Sequence, residues 1–317
     1  MTGDGGDAGF DAVNKDAEFH TYYTGWLDVN FRGDDPATWL WVGDQFFPAP
    51  PPGESIRMYP PTIADPVTPG TIFEGASHVW RTQDSGGDQA FLDAHCNTTN
   101  QFGTSDALFT GACGDWVAIG PKLTDATFDT TRTGGNMAAL DRGRDAGTLW
   151  AATSNGRVFV SKNADQAPAS VTFTRIDDDS PLTPTRFPSS VSVDESNPNH
   201  AILTYDGYST TTINQPGHVF DVVFDPVAGT ATWKDISYDL GDQPILDSAF
   251  DSTSGDTYVS TDFGVDRLVN GTTTWIPAAG GLPTATVSGL RLTYQKSGLR
   301  YLYAATHGRG AYRLKIR

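Results

Sequence analysis

Met137-Ala138-Ala139-Leu140-Asp141, Leu149-Trp150-Ala151-Ala152-Thr153, Val158-Phe159-Val160-Ser161 and Val171-Thr172-Phe173 follow one another in a single stretch of the chain. Each run is too short for a stable helix, the last three carry β-branched and aromatic residues, and turn formers such as Ser154-Asn155-Gly156 separate them. Four such runs joined by short links read as an antiparallel meander of four strands.

Working outward, the same order recurs at roughly forty to sixty residues, the range of repeats that stack sheet upon sheet. A second copy has Val191-Ser192-Val193-Asp194, Ala201 to Tyr205, His218 to Val222 and Thr230 to Trp233, with an insertion at Ser209 to Gly217. A third has Ile245 to Asp251, Thr257 to Thr261, Gly264 to Leu268 and Thr274-Trp275-Ile276. The last has Leu290 to Leu292, Tyr301 to Thr306 and Ala311 to Ile316, with no outer strand. On the N-terminal side lie Thr62 to Asp65, Thr71 to Gly75, His78 to Arg81 and Asp115 to Ile119, and before them a first unit from Phe10 to Trp41.

One such unit buries too little surface alone, so neighbours must pack face to face. The sequence thus predicts an all-β β-propeller of about six four-stranded blades, the last incomplete, forming one domain over residues 1–317. The blades fall near 8–44, 56–120, 136–177, 186–240, 244–283 and 286–317. Helical segments of period 3.6, which a parallel α/β sheet requires, do not occur between the strands.

Composition agrees. The 34 Gly and 20 Pro among 317 residues favour many turns, and long helices are not expected. A formal net charge of −17 repels phosphate backbones and anionic membranes, so neither nucleic acid nor membrane insertion is expected; no apolar run approaches the ~20 residues of a spanning helix. Cys96 and Cys113 flank a loop containing Asn97, Thr98, Asn100, Gly103 and Gly111, and a disulfide closing it is expected. The alternative, two free thiols in a reducing cytosol, stays open, whereas metal binding lacks both the spacing and a histidine cluster. Secretion is therefore the expectation. Met1 to Asp7 lacks the regions of a signal peptide, which leaves a removed signal or a fragment.

Arg81-Thr82-Gln83-Asp84-Ser85-Gly86-Gly87 has the Thr, Asp and Gly of an Asp-box turn between third and fourth strands, and Ser161-Lys162-Asn163-Ala164-Asp165 is a degraded copy. With Ala304-Ala305-Thr306-His307-Gly308-Arg309-Gly310-Ala311-Tyr312 and Gly3-Asp4-Gly5-Gly6, these residues resemble the BNR/Asp-box propellers: sialidase-like, xyloglucanase-like and sortilin-type proteins, and actinobacterial secreted proteins of glycosyl-hydrolase type. The resemblance implies blade geometry; a fold does not fix a function, and no catalytic residue is carried over from it.

In propellers the ligand face is lined by the turns between second and third strands and by the links leading into each first strand. The turns offer Trp26 and Asp28, Glu74 and His78, Asn155 and Arg157, Asp206, Tyr208 and His218, Asp262, and His307 with Arg309; the links add Asp4, Asp7, Arg57, Arg132, Arg186 and Asp242. Carboxylates, arginines and rings together suit carbohydrate recognition. Glycoside hydrolysis would need two carboxyl groups flanking the bond, for which Asp262, Asp206 and Glu74 are the candidates, although an Asp beside Gly commonly caps its own turn. Three channel arginines suit a sialidase, but no Tyr/Glu nucleophile pair is recognisable. Arg309 between glycines equally suits an anchor of the last blade. Asp4-Gly5-Gly6-Asp7 and Asp177-Asp178-Asp179 are oxygen-rich candidates for Ca²⁺ without EF-hand spacing, solvated acidic turns being commoner, and no cofactor is otherwise required. Walker loops, GxSxG elbows, HExxH and basic aromatic patches are absent from the sequence. The expectation is a secreted recognition module binding glycan or protein; the alternative is a glycoside hydrolase.

Overall fold

The computed structural model describes residues 5–33, 35, 37–96, 113–145, 147–212, 215 and 217–316. Asp4 and Gly3 of the first acidic motif, and the loop residues Asn97, Thr98, Asn100, Gly103 and Gly111, lie outside these.

Six antiparallel sheets follow one another. The first is β1 (Ala8–Phe10), β2 (Glu18–Thr21), β3 (Leu27–Asn30) and β4 (Leu40–Trp41); the second is β5 (Thr62–Ala64), β6 (Ile72–Gly75), β7 (Val79–Thr82) and β8 (Val117–Ile119). The third is β9 (Met137–Arg142), β10 (Leu149–Thr153), β11 (Val158–Ser161) and β12 (Thr174–Arg175); the fourth is β13 (Pro188–Asp194), β14 (Asn197–Tyr205), β15 (Val219–Asp225) and β16 (Thr230–Asp235). The fifth is β17 (Asp247–Asp251), β18 (Asp256–Thr261), β19 (Gly264–Leu268) and β20 (Trp275–Pro277), and the sixth has only β21 (Val287–Tyr294), β22 (Arg300–Thr306) and β23 (Gly310–Ile316). The chain is a six-blade β-propeller whose last blade has three strands. Among the described residues one α-helix, α1 (Gln89–His95), sits between β7 and β8 with Asp88 as its N-cap.

The described residues form two compact units, 1–149 with 161–173, and 150–160 with 174–317. Three of the second strands, β6, β10 and β18, are buried at every residue; β10 accordingly reads as an unbroken apolar and small-residue run, whereas β6 and β18 each bury a carboxyl residue, Glu74 and Asp256. Outer strands alternate, as in β16 and β23. The turn after β10 requires glycine, because Gly156 has φ +85° and a Cβ there would meet the carbonyl oxygens of Pro184 and Arg186 at 3.0 and 3.1 Å. The fourth strand of the third sheet is shifted from the apolar run 171–173 to Thr174–Arg175. Val171 and Phe173 are still buried, so their apolar character reports packing rather than strand pairing.

In the first unit, the core joins Phe19, Leu27, Val29, Leu40 and Trp41 to Leu92 of the helix and to Cys96 and Cys113, which are disulfide-bonded. In the second unit, Ile202, Val219, Ile245, Val259, Leu268 and Trp275 form one cluster, and Tyr258, Val265, Val287, Leu290 and Leu302 another.

Two polar devices recur. The Asp that ends or follows a first strand accepts N–H groups of its own turn and reaches the next sheet. Asp11 takes the amides of Val13 and Asn14 and that of Gly70, and Asp65 takes those of Val67 and Thr68 and the Arg142 guanidinium. Asp251 takes the Thr253 amide and binds Arg300. At the outer edge a Trp donates its indole N–H to the carbonyl one residue past the preceding sheet's fourth strand. These bonds are Trp116 to Val42 at 2.8 Å, Trp233 to Ile176 at 2.9 Å and Trp275 to Ile236 at 3.0 Å.

In the turn after β7 the Thr82 hydroxyl accepts the Gly86 N–H at 2.8 Å and donates to Asp115 at 2.6 Å, with Ser85 at φ +62°. In the turn after β11 Asn163 accepts the Thr172 N–H at 2.9 Å. Asp177, in the acidic triplet, is committed to Arg175 and to the Val158 amide, and Asp179 to the Ala231 amide. Among the described residues no three His, Cys, Asp or Glu side chains gather as a metal site, and no helix is long and apolar enough to cross a membrane.

Candidate functional site

In an antiparallel meander, the start of the first strand and the turn joining second to third lie at the same end of the sheet. In the fourth sheet that end carries Arg186, just before β13, and the link from Asp206 to His218; in the fifth it carries Asp242, ahead of β17.

Three of these side chains meet. Arg186 is 5% exposed and donates from Nη2 to the carbonyl of Gly217, while its Nε and Nη1 are buried without a protein partner. His218 is fully buried, with Nε2 2.9 Å from Asp242 Oδ1. Burial, then the neighbouring Arg186 charge, pushes the imidazole below its ordinary value against the opposing pull of Asp242, so the ring is neutral near pH 7. Asp242 is held below the usual carboxylate range, first by the Ser209 N–H, and takes both the N–H and the hydroxyl of Ser209 at 2.8 Å. A neutral His218 whose Nε2 donates to this carboxylate must keep Nδ1 as a bare acceptor, and Nδ1 has no partner. Unused donors on Arg186 thus stand beside an unused acceptor on His218.

The cover over this pair is thin. Gly207, at φ +82°, has no atom nearer to a Cβ position than Arg186 Cδ at 4.0 Å, and Tyr208 beside it is 49% exposed. Asp206 turns its carboxylate onto the Gly207 amide at 2.6 Å, the self-capping expected of Asp before Gly. Asp262 is exposed, with Thr286 Oγ1 at 3.4 Å. Arg157 is wholly buried, whereas His307 and Arg309 are exposed on the β22–β23 turn.

The first unit has its own polar cluster. Glu74 is completely buried, bonded to the Thr62 hydroxyl through Oε2, with Oε1 unpartnered. Desolvation raises its pKa well above the ordinary value, and the Asp7 charge adds to the rise. Asp7 accepts the Thr62 amide at 2.9 Å, and Arg57 donates to the Ala138 carbonyl at 3.3 Å. His78 is paired through Nδ1 with Glu54, which also takes the amides of Ser77 and His78. Nothing in the local sequence marked Glu54 as the residue that orients His78. Arg132 stands half-buried at φ +51° before β9.

Trp26 is built into an aromatic stack with Tyr22, Tyr23, Trp41 and Phe47 and donates its indole N–H to Asp28 at 3.2 Å. Asp28 is 2% exposed, its Oδ1 has no partner, and burial pushes its pKa up to about 7. A carboxyl raised on folding binds its proton more tightly in the native state, so stability is highest at low pH and falls between the unfolded value of ~3.9 and about 7. Asp28→Asn removes that penalty. We expect its Tm relative to wild type to be higher at pH 8 than at pH 4, a swing on the order of a few kcal/mol in unfolding free energy; a pH-independent difference would rule out the buried carboxyl as its source.

No protein-family model matches this sequence, and no curated protein matches it. Solved structures share its fold. YCF48 bound to D1 peptide is similar at TM-score 0.52 and 10% identity, over 99% of this chain and 81% of that one; YCF48 from Cyanidioschyzon merolae is similar at 0.53 and 13%, over 99% and 95%. The β-propeller domain of Myceliophteria thermophila Cps50 (Swd1) is similar at 0.57 and 9% identity, over 96% of this chain and 81% of that one. The extracellular domain of a hybrid two-component system of B. thetaiotaomicron gives 0.58 and 10%, with this chain spanning 34% of its length. At these identities the likeness is one of fold: these neighbours are β-propellers, as this chain is.

Proposed function

We propose that this chain is a recognition module that binds a protein or glycan partner through the loops around Arg186, Tyr208, His218 and Asp242, acting as one domain outside the reducing cytosol. The observation that carries this reading is the juxtaposition of unpartnered Arg186 N–H groups with the unpartnered Nδ1 of His218 under a glycine turn. A hydroxyl or a peptide group accepts from the one and donates to the other, relieving two buried polar groups at once. Tyr208 and Asp242 supply the exposed ring and charge at the rim. The disulfide supports an oxidising compartment, and the two turns at 81–87 and 161–165 support kinship with BNR proteins.

The hydrolase alternative finds less support, because of the three candidate carboxyl groups Glu74 is sealed in the core and Asp206 is spent on its own turn. The test is an array of glycans and peptides probed with wild type, Tyr208→Ala and Asp242→Ala. Binding weakened roughly tenfold by each substitution, with Tm unchanged, supports the site. Glycan turnover abolished by Asp262→Asn or Asp206→Asn would replace the binding reading with catalysis.

A further inference from the structure

The site around Arg186 holds three buried polar atoms that no protein group answers: Nε and Nη1 of Arg186 and Nδ1 of His218. Both side chains are pinned. Arg186 is anchored through Nη2 on the Gly217 carbonyl, while the His218 ring is held through Nε2 by Asp242 at 2.9 Å and its backbone N–H by the Ser237 hydroxyl at 2.8 Å. Asp242 is fixed in turn by the N–H and the hydroxyl of Ser209, both at 2.8 Å. The bond to Asp242 puts the proton on Nε2 and leaves a lone pair on Nδ1. The guanidinium already has countercharges: burial, first of all, lowers the Arg186 pKa, and the charges of Asp242 and Asp235 oppose that fall.

These groups decide which ligand atoms belong there. A carboxylate accepts from Arg186 but brings only lone pairs to Nδ1 and a like charge to Asp242. An ammonium suits Nδ1 and is repelled by Arg186. A hydroxyl has to serve both neighbours from one oxygen. A secondary amide, in a peptide backbone or in the acetamido group of a sugar, is trans, so its C=O and N–H point in opposite directions and it has to lie between the two side chains. The open side is over Gly207, where the nearest atom to a Cβ position is Arg186 Cδ at 4.0 Å, so an entering group presents a single edge. A primary carboxamide carries acceptor and donor on one edge, C=O beside N–H. Of the two partner classes, proteins carry that group, on Asn and Gln; the amides of glycans are secondary.

We infer that the partner is a protein and that the site takes the primary carboxamide of one of its Asn or Gln side chains. The carboxamide oxygen accepts from Arg186 and the carboxamide N–H donates to Nδ1 of His218, which relieves buried groups on both residues with one neutral ligand group. Tyr208, 49% exposed beside Gly207, is the ring that the rest of the partner segment meets. This assignment rests on the recognition reading of the loops around Arg186 and adds to it the group that is read.

The test follows the imidazole nitrogens of His218 by NMR in the full chain near pH 7, with His218→Phe assigning the signals. The probes are peptides acetyl-Ser-Xaa-Ser-methylamide, in which Xaa is Gln, Asn, Glu, Thr or Gln dimethylated on its side-chain nitrogen, and N-acetylglucosamine. The Gln or Asn peptide is expected to move Nδ1 towards its hydrogen-bonded position while Nε2 stays in place, and to bind roughly tenfold or more tightly than the Glu, Thr and dimethylated peptides and the sugar. Because the affinities are those of the wild type, the comparison does not depend on whether a variant at Arg186 or His218 folds. An Nδ1 signal unmoved at millimolar Gln and Asn peptide, or equal binding of any other probe, overturns the carboxamide assignment. If ligands from the glycan and peptide array still bind and are weakened by Tyr208→Ala, that failure leaves the recognition site standing; an array without any bound ligand removes the recognition reading itself.

Discussion

Arg142→Ala is expected to lower the unfolding free energy by about 3–5 kcal/mol, a fall in Tm on the order of 10 °C. The guanidinium is 4% exposed and divides three directions among three partners: Nε to Asp65 at 2.8 Å, Nη2 to Asp165 at 2.6 Å and Nη1 to the Thr148 carbonyl at 2.7 Å. Removing it leaves Asp65, itself buried, without its countercharge, and that uncompensated burial supplies most of the loss. Arg142→Lys should recover only part, because one ammonium cannot follow the planar fork to all three acceptors. The control is Arg32→Ala. Arg32 makes a bidentate pair with Asp93 at 2.8 and 2.6 Å, yet both side chains are substantially exposed and screened by solvent, so the loss should be a small fraction of that for Arg142→Ala. Denaturant unfolding of the three variants separates these outcomes; equal losses for Arg142→Ala and Arg32→Ala would mean that burial does not set the strength of the pair.

That contrast shows where sequence reading succeeds and stops. Runs such as Leu149 to Thr153 are legible because a strand sealed on both faces favours apolar and small residues, and the glycine at 156 because a Cβ in its turn would meet two carbonyl oxygens. The meander order fixes which links share an end of a sheet, so the sequence offers Arg186, Tyr208, His218 and Asp242 within a longer set of candidates, and the structure sets Arg186 on the Gly217 carbonyl beside His218 and His218 on Asp242. What chemistry each group retains was not legible. Trp26 satisfies the same positional rule but is consumed by an aromatic stack, and Glu74 satisfies it but is sealed beneath Thr62. The partners of Asp65 and His78 lie 77 and 24 residues away, and no local pattern encodes such pairings.

Trp233 tests the other recurring device. Trp233→Ala should cost about 3–5 kcal/mol, since a nearly buried indole is replaced by a cavity beside Phe220. Trp233→Phe keeps an aromatic ring but deletes the donor, leaving the buried Ile176 carbonyl without its indole partner, at a cost of about 1–2 kcal/mol. Because Trp116 and Trp275 make the same bond to Val42 and Ile236, Trp116→Phe and Trp275→Phe should lose similar amounts, whereas their Ala variants should scatter with the room each site has to collapse. Urea unfolding of the six variants decides it. A uniform Phe penalty identifies the indole-to-carbonyl bond as a repeated joint between successive sheets; neutral Phe variants beside costly Ala variants would mean that these tryptophans act by volume alone.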